Sequence, residues 1–251
     1  MKQAPSNTST LTTPSPNTSC LGLILAGGQS KRMGGGDKFL KPIGNTNLLR
    51  EVVTRLQPQV PQLVISTNSP KTAITQALAS SPTNDTPTQQ TSGTLQSIPI
   101  LKDNIKDYAG PLAGIEAAMR WAKQHTPHIS HIASTAADTP FFPKTYVPSL
   151  LAELKKSKAN QRNNTIILAQ SAGRIHPVFG LWPINLADSL KTALENGTRK
   201  VRAWTDQHPT LIASFPNQPH EGPASDPFFN INTPDEWQSY KTLRTKLGKA
   251  I

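Results

Sequence analysis

The chain of 251 residues has a single cysteine, Cys20, and no long apolar run. One cysteine excludes an internal disulfide and a zinc site built on cysteines. No segment approaches the roughly 18 consecutive apolar residues of a membrane span. Residues 1–19 lack the apolar stretch of a signal peptide, so we do not expect Cys20 to mark a lipoprotein cleavage site. We therefore expect a soluble, cytoplasmic chain without a membrane partner.

Acidic residues are also scarce, because 15 Asp and Glu stand against 26 Lys and Arg, for a net charge of +11. Such an excess suits polyanionic ligands. The basic residues are dispersed and do not alternate with aromatic residues, which argues against a nucleic-acid partner. Two interpretations remain: a basic surface that aids solubility, and a small-molecule ligand rich in phosphate.

Two segments have few apolar residues. Residues 1–19 are predicted to form a disordered tail, and residues from about 80 to 97 a low-complexity surface insertion.

Elsewhere, short apolar runs alternate with stretches of helical periodicity. The predicted strands are 21–26, 62–67, 98–102, 131–136, 165–170, 176–182 and 211–215. The predicted helices are 47–56, capped by Thr46 or Asn45, then 72–79, 110–122, 144–156, 185–194, 198–207 and 234–247. This alternation predicts one α/β domain over 20–251, a three-layer α/β/α sandwich with a mostly parallel, Rossmann-like sheet.

A loop of glycines and cations follows the first predicted strand, from Gly27 to Lys38. Glycine lets backbone amides point inward as an anion cradle, and Lys31, Arg32 and Lys38 add full charges. The loop matches neither the P-loop pattern nor the G-x-G-x-x-G dinucleotide pattern. It indicates a nucleoside triphosphate site, and the alternative is an ordinary surface turn.

Polar side chains follow the predicted strands at four places: 27–38, 66–68, 102–103 and 138–140. In parallel sheets, ligands bind at the carboxyl ends of the strands. Asp138 could hold Mg²⁺ together with substrate phosphates, or it could cap the helix that follows. Asp103 could contact base or ribose, or be a solvated loop carboxylate.

Lys38 and Arg32 would stabilise the transferred phosphate and the departing pyrophosphate, unless Lys38 instead pairs with Asp37. His176 lies in a predicted hairpin and could contact substrate or pack in the turn.

A capping box is predicted from Thr233 to Glu236, at the start of the last helix. Asn230 and Asn232, two residues apart on a predicted strand, would face one side and line the cleft.

With these residues, the chain resembles the molybdenum cofactor guanylyltransferases over about 21–240. The resemblance rests on five segments that match in order: 25–38 (L-A-G-G-x-S-x-R-M-G, ending in Lys38), 108–114 (Y-A-G-P-L-A-G), 138–140 (D-T-P), Arg174 with His176-Pro177, and 230–234 (N-I-N-T-P).

The resemblance implies a nucleotidyltransferase sheet and a GTP-dependent reaction. The terminal phosphate of molybdenum-molybdopterin would attack the α-phosphate of GTP, releasing pyrophosphate and forming the guanine dinucleotide cofactor. It also implies transient contacts with proteins that deliver molybdopterin or accept the cofactor.

The matching positions define the expected site. Catalytic roles would fall to Lys38, Arg32 and Asp138, with Mg²⁺ on Asp138. The expected GTP contacts are Leu25, Ala26, Gly27, Gly28, Lys38, Ser66, Asn68, Asp103 and Asp138. The expected acceptor contacts are Arg174, His176, Asn230 and Asn232. Ser66 stands where the family often has asparagine, a role that Asn68 could take.

Three rival functions are weighed. A cytidylyltransferase acting on the same pterin would carry Ala-Ala-Gly in place of Ala26-Gly27-Gly28. A sugar- or polyol-phosphate nucleotidyltransferase and a catalytically silent nucleotide-binding regulator are the others. The presence of both Lys38 and Asp138 favours an enzyme over the regulator.

Overall fold

The structure is a computed structural model, and it describes residues 20–27, 37–43, 46–79, 97–102, 110–218 and 225–247. The predicted tail at 1–19 lies outside the described residues, as does the predicted insertion apart from Ser97. None of the helices in these ranges combines the length and the apolar character that crossing a membrane requires.

A seven-stranded sheet forms the centre of the described fold, in the order β5-β4-β1-β6-β8-β7-β9. All its neighbours pair in parallel except β8, which is antiparallel to both β6 and β7. A separate antiparallel pair, β2 and β3, lies beside it. The strands are β1 (Cys20–Leu25), β2 (Pro42–Ile43), β3 (Thr46–Asn47), β4 (Gln62–Ser66), β5 (Ile100–Leu101), β6 (His131–Ala136), β7 (Ile166–Ser171), β8 (Arg174–Pro183) and β9 (Thr210–Phe215).

Helices cover both faces of the sheet, which confirms the predicted three-layer α/β/α sandwich. The α-helices are α1 (Leu48–Leu56), α2 (Lys71–Ala79), α3 (Pro111–His125), α4 (Tyr146–Leu154), α5 (Ala187–Glu195), α6 (Val201–Thr205) and α7 (Pro234–Leu247). Short 3-10 turns occupy Lys38–Leu40, Gln57–Gln59, Ala159–Asn164 and Ile184–Leu186. One apolar core contains residues of α1, α2, α4 and α7, and the other contains residues of α3, α5 and α6.

Strand β1 shows how the sequence builds two cores. Successive side chains of a strand point to opposite faces, so a strand buried on both sides is apolar throughout. Cys20 and Ile24 enter the α1 side, whereas Leu21 and Leu23 enter the α3 side. Burial raises the pKa of the Cys20 thiol to about 12, so the thiol stays protonated at neutral pH.

Helix α1 begins one residue later than predicted, and its cap is Asn47 rather than Thr46 or Asn45. The Asn47 side-chain oxygen accepts a hydrogen bond from the Arg50 amide at 2.9 Å. Its side-chain nitrogen donates to the Ala77 carbonyl at 2.8 Å, which ties α1 to α2. This second contact spans 30 residues and explains why the third of three adjacent polar residues is the cap.

A buried serine joins β6 to its antiparallel neighbour. Ser134 Oγ donates to the Val178 carbonyl at 2.6 Å and accepts from Trp182 Nε1 at 2.7 Å. The Tyr146 hydroxyl donates to the Ser134 carbonyl, also at 2.6 Å. Because buried polar groups are costly unless they are hydrogen-bonded, these contacts favour one register between β6 and β8.

Candidate active site

The carboxyl ends of three neighbouring strands are level with one another. The Ala26 amide donates to the Ser66 carbonyl at 2.8 Å, and the Ala137 amide donates to the Leu25 carbonyl at 3.0 Å. Strand β8 runs the other way, so its first residue, Arg174, starts at this same edge. We call this edge, defined by the ends of β1, β4 and β6 and the start of β8, the reactive edge. Parallel α/β sheets bind ligands at such an edge.

A compact charged cluster lies at the reactive edge. Lys38 Nζ is 2.6 Å from Asp138 Oδ2, and it donates a hydrogen bond to Asn232 Oδ1 at 2.5 Å. The Lys38 and Asp138 side chains are only 12% and 19% exposed. Water therefore screens this pair less than it would screen a surface pair. The cluster unites a cation, a carboxylate and an amide from three distant parts of the sequence.

The turn after β6 holds this carboxylate against the segment that carries the two asparagines. The Asp138 carbonyl accepts from the Ile231 amide at 3.1 Å. Thr139 Oγ1 lies 3.3 Å from Asp138 Oδ1 and donates a very short hydrogen bond to Asn230 Oδ1. Asn230 and Asn232 are thus both fixed beside Asp138.

The predicted capping box is present at the start of α7. The Glu236 Oε2 atom accepts from the Asn232 amide at 2.6 Å and from the Thr233 amide at 2.8 Å, and the Glu236 amide donates to Thr233 Oγ1 at 3.2 Å. These contacts fix the backbone of Asn232, so they also position the side chain that meets Lys38.

The donor set fits a magnesium ion that is shared with substrate phosphates. Among the described residues, no group of three or more His, Cys, Asp or Glu side chains could hold a metal ion. Mg²⁺ is commonly bound through one or two carboxylates plus substrate phosphates and water, and it prefers oxygen ligands. Asp138 supplies one carboxylate, and the Asn232 amide oxygen lies in the same cluster.

A second polar network lies at the start of β8. Ser171 Oγ is 2.6 Å from His176 Nε2 and donates to Asp226 Oδ1, also at 2.6 Å. Burial lowers the pKa of His176; the Asp226 carboxylate opposes this and the Arg174 charge adds to it. The His176 ring also packs on Phe228, with ring centroids 4.7 Å apart. His176 is therefore a neutral, positioned side chain at neutral pH.

A family model described as "MobA-like NTP transferase domain" matches residues 22–211, which is more than half of the chain. The matched range contains Lys38, Asp138 and both flanks of the hairpin at β7 and β8. The chain belongs to this family. It is a nucleotidyltransferase of the MobA-like group, as the glycine-rich loop and the cluster at the reactive edge predict.

Individual relatives agree with this assignment. A "Molybdenum cofactor guanylyltransferase" of Rhizobium leguminosarum bv. trifolii is 38% identical over 216 residues, covering 86% of this chain and 88% of that protein. The crystal structure of "Molybdopterin-guanine dinucleotide biosynthesis protein A" from Archaeoglobus fulgidus has a TM-score of 0.61 at 20% identity. It covers 90% of this chain and 99% of its own. A "4-diphosphocytidyl-2C-methyl-D-erythritolsynthase" from Anaerococcus prevotii has a TM-score of 0.59 at 8% identity, covering 91% and 97%. The two structural matches show the fold alone.

The structure describes some of the residues expected to bind GTP in this MobA-like transferase, and others lie outside the part of the chain that it describes. Leu25 and Ser66 meet at α3, where a Cβ on Gly114 would lie 2.6 Å from Leu25 Cδ2 and 2.7 Å from Ser66 Oγ. Ala26 is buried, whereas Gly27 and Asn68 are exposed. Three expected site residues lie outside the described part of the chain: Gly28, Arg32 and Asp103.

The structure decides two alternatives that the sequence left open and corrects one expectation about the site. Lys38 pairs with Asp138 rather than with the adjacent Asp37. Asp138 does not cap a helix, since α4 begins only at Tyr146. Asn230 lies in an irregular segment rather than on a strand, as does Asn232. Asn230 is held by its hydrogen bond with Thr139, and Asn232 is held by the capping box. Alternation along a strand plays no part in their placement.

Sequence reasoning did not single out Ser171 or Asp226. They are 55 residues apart, and nothing in their local sequence signals that they share a hydrogen bond. The only available signal was the position of Ser171 directly after the predicted strand 165–170, in the predicted turn 171–174.

Proposed function

We propose that this chain transfers GMP from GTP to the terminal phosphate of molybdenum-molybdopterin, in the cytoplasm and with Mg²⁺. The products are the guanine dinucleotide cofactor and pyrophosphate. The observation that carries the proposal is the Lys38–Asp138 pair at the reactive edge of a MobA-like transferase. The name of the 38% identical relative supports GTP as the nucleotide. Transient contacts with proteins that deliver molybdopterin and accept the product belong to the same proposal.

The proposed step is a single displacement at phosphorus. An oxygen of the acceptor's terminal phosphate forms a bond to the α-phosphorus of GTP. The bond from that phosphorus to the oxygen bridging to the β-phosphate breaks, and pyrophosphate leaves with the bonding electrons. Two anions must approach each other, so the protein's main contribution is positive charge and alignment.

Each member of the cluster has a role in this step. Lys38 would turn its ammonium from Asp138 toward the oxygens of the transferred phosphate, while Asn232 keeps the Lys38 side chain aligned. Asp138 would hold Mg²⁺, which when bound neutralises charge on the triphosphate. The amides of the loop after β1 would cradle the other phosphates.

Nucleotide preference tests the function directly. Pyrophosphate release with molybdopterin is measured for GTP, CTP and ATP, and GTP binding is titrated with and without Mg²⁺. We expect turnover with GTP and Mg²⁺-dependent binding. The sequence Ala26-Gly27-Gly28 supports this preference, because a cytidylyltransferase acting on the same pterin would be expected to carry Ala-Ala-Gly there. Preference for CTP, or binding without turnover, would refute the proposal.

Charge removal tests the roles of the pair. Lys38→Ala should slow turnover by roughly 10- to 150-fold, because a charge-assisted hydrogen bond contributes about 1.5–3 kcal/mol. Asp138→Asn should abolish Mg²⁺-dependent turnover while the protein stays folded. The matched controls are Lys191→Ala and Asp188→Asn, whose side chains are 56% and 89% exposed. A Lys38 or Asp138 variant with the turnover of its control would remove that residue from the mechanism.

A further inference from the structure

The segment 226–232 runs along the reactive edge and carries both asparagines of the site. Its side chains contact, in order, Ser171 at the end of β7, Thr139 in the turn after β6, and Lys38. The placement of this one segment therefore decides where the two asparagines lie in the charged cluster.

The half of the segment nearest the cluster is held by the site itself and by the cap of α7. Asn230 accepts a hydrogen bond from Thr139, and the Ile231 amide donates to the Asp138 carbonyl at 3.1 Å. The capping box fixes the backbone of Asn232. A chain that is fixed at one end keeps conformational freedom at the other, so an ordered segment needs an anchor at its start as well.

Asp226 supplies that anchor. Its Oδ1 atom accepts from Ser171 Oγ at 2.6 Å and from the Phe228 amide at 2.9 Å. Its carbonyl accepts from the Phe229 amide at 3.1 Å. The first bond ties the segment to the sheet, and the other two close a turn. Hydrogen bonds to an ionised carboxylate are roughly twice as strong as those between neutral groups, so one side chain fixes both the place and the conformation of this start.

The sheet side of the anchor is itself fixed. Ser171 is buried, and its Oγ atom is 2.6 Å from His176 Nε2. A serine hydroxyl has a single hydrogen, which Ser171 donates to Asp226, so Ser171 Oγ accepts from His176 Nε2. The serine is thus held between β7 and β8, and it cannot turn away without leaving buried polar groups unpaired.

Phe228 fixes the register of the segment. Its buried side chain packs on the rings of Phe179 and His176, each with centroids 4.7 Å away, and of Phe215, at 5.2 Å. A slip by one residue would withdraw this ring from the core and lose the burial of a large aromatic side chain. The carboxylate two residues earlier and this ring together determine where the asparagines lie.

We infer that Asp226 is a positioning residue for the transfer reaction, acting through Asn230 and Asn232. Its anchor holds the segment so that the two amide side chains lie beside Asp138 and meet Lys38. The inference rests on the proposed function, since the cluster that it aligns is the one that this function uses.

The kinetic test measures pyrophosphate release by the full chain, with saturating molybdopterin and varied GTP. Asp226→Ala should lower kcat about tenfold and leave the KM for GTP within about twofold of wild type. Asp226→Asn should keep kcat within about threefold, because an amide oxygen can still accept from Ser171 and Phe228. Asp188→Ala, which removes an exposed carboxylate of α5, should change neither quantity.

A double-mutant cycle tests whether Asp226 acts through the asparagines. Residues that act as one unit show losses that do not add. In an Asn232→Ala background, Asp226→Ala should therefore lower kcat by less than about threefold instead of about tenfold. A merely structural role would give the same loss in both backgrounds and would overturn the inference.

Amide hydrogen exchange tests the anchor without any reaction. Ile231 is buried and its amide donates to the Asp138 carbonyl, so its exchange rate reports opening of the segment. Asp226→Ala should raise this rate about tenfold, whereas Asp226→Asn and Asp188→Ala should stay within about threefold of wild type. Ser171→Ala, which removes only the contact with the sheet, should also raise it, and it replaces Asp226→Ala in all comparisons if that variant does not fold.

The results distinguish this inference from the proposed function. An unchanged Ile231 exchange rate or an unchanged kcat in Asp226→Ala overturns the positioning role. A kcat of Asp226→Asn as low as that of Asp226→Ala also overturns it, because the carboxylate would then act through its charge. If the wild type releases no pyrophosphate from GTP while the exchange rates change as expected, the proposed function fails and the anchoring of the asparagines by Asp226 stands.

Discussion

The capping box at the start of α7 should matter for catalysis as well as for stability. In Glu236→Ala, the amides of Asn232 and Thr233 lose the carboxylate oxygen that accepts from them at 2.6 and 2.8 Å. Glu236→Gln is the matched control, because glutamine is the other residue that closes a capping box.

The magnitude follows from how exposed these groups are. Asn232 is exposed and Thr233 half-buried, so water replaces part of what the two amides lose. We expect a loss of about 1 kcal/mol in the free energy of unfolding, as for other helix caps, and a fall of roughly 3 °C in Tm. The larger effect should be on turnover, because Asn232 Oδ1 accepts from Lys38 Nζ at 2.5 Å. Loss of that alignment should lower kcat about tenfold.

The assay combines thermal unfolding with pyrophosphate release under saturating GTP and molybdopterin. The reasoning predicts that Glu236→Ala loses both Tm and kcat, while Glu236→Gln keeps most of each. If Glu236→Ala loses stability but retains the wild-type kcat, the cap does not position Asn232 for the reaction. Equal losses in the two variants would mean that an uncharged amide cannot replace the carboxylate, contrary to the capping argument.

Two further perturbations follow from packing and burial. Gly180→Ala places a Cβ 2.6 Å from the Ile167 carbonyl, so calorimetry should show a Tm lower by about 5 °C, at about 2 kcal/mol. Gly110→Ala, whose added carbon meets nothing within 4 Å among the described residues, should keep the wild-type Tm; equal values for the two variants would contradict the clash. Burial lowers the pKa of His131 and His176 below the usual 6.5. Below pH 6.5 the folded state then binds fewer protons than the unfolded chain. The free energy of unfolding therefore keeps its full value above pH 6.5, and below it falls by up to about 1.4 kcal/mol per histidine per pH unit. Urea unfolding from pH 7.5 to 5 checks this, and a slope that His131→Gln leaves unchanged would exclude His131.

Elements with strong local signals were predicted from the sequence almost to the residue. Strand β6 has the predicted bounds, as does α7 with its Thr233–Glu236 box. The apolar runs and the capping residues there are local, so no distant contact is needed to define them. The hairpin of β7 and β8 was predicted for the same reason, and a positive φ of 75° at Gly173 forms its turn.

Ends that depend on tertiary contacts were predicted less well. Strand β5 shrinks from 98–102 to Ile100–Leu101, and among the described strands it pairs with β4 alone, at the edge of the sheet. Helix α6 shrinks from 198–207 to Val201–Thr205. Edge strands and short helices depend on what packs beside them, which sequence periodicity does not report.

In the candidate site too, local features could be predicted from the sequence and contacts between distant residues could not. The motif residues Lys38 and Asp138 were identified from the sequence, but their direct contact was not, because they are 100 residues apart. Local reasoning offered only the neighbour Asp37 as an alternative partner for Lys38. Which carboxylate Lys38 reaches depends on how the turn after β6 lies against the start of α7, and that is set by the whole sheet.

The buried Ser134 has a consequence for how such enzymes can change. It joins β6, the last of the neighbouring parallel strands β5, β4, β1 and β6, to the antiparallel strand β8. Since side chains alternate along a strand, sliding β8 against β6 by a single residue would turn Trp182 away from Ser134. Insertions or deletions between Gly180 and Pro183 should therefore be barred, whereas the register of β7 against the earlier part of β8 already contains a shift. We therefore expect relatives to differ here by exchange of side chains at a fixed pairing of β6 with β8.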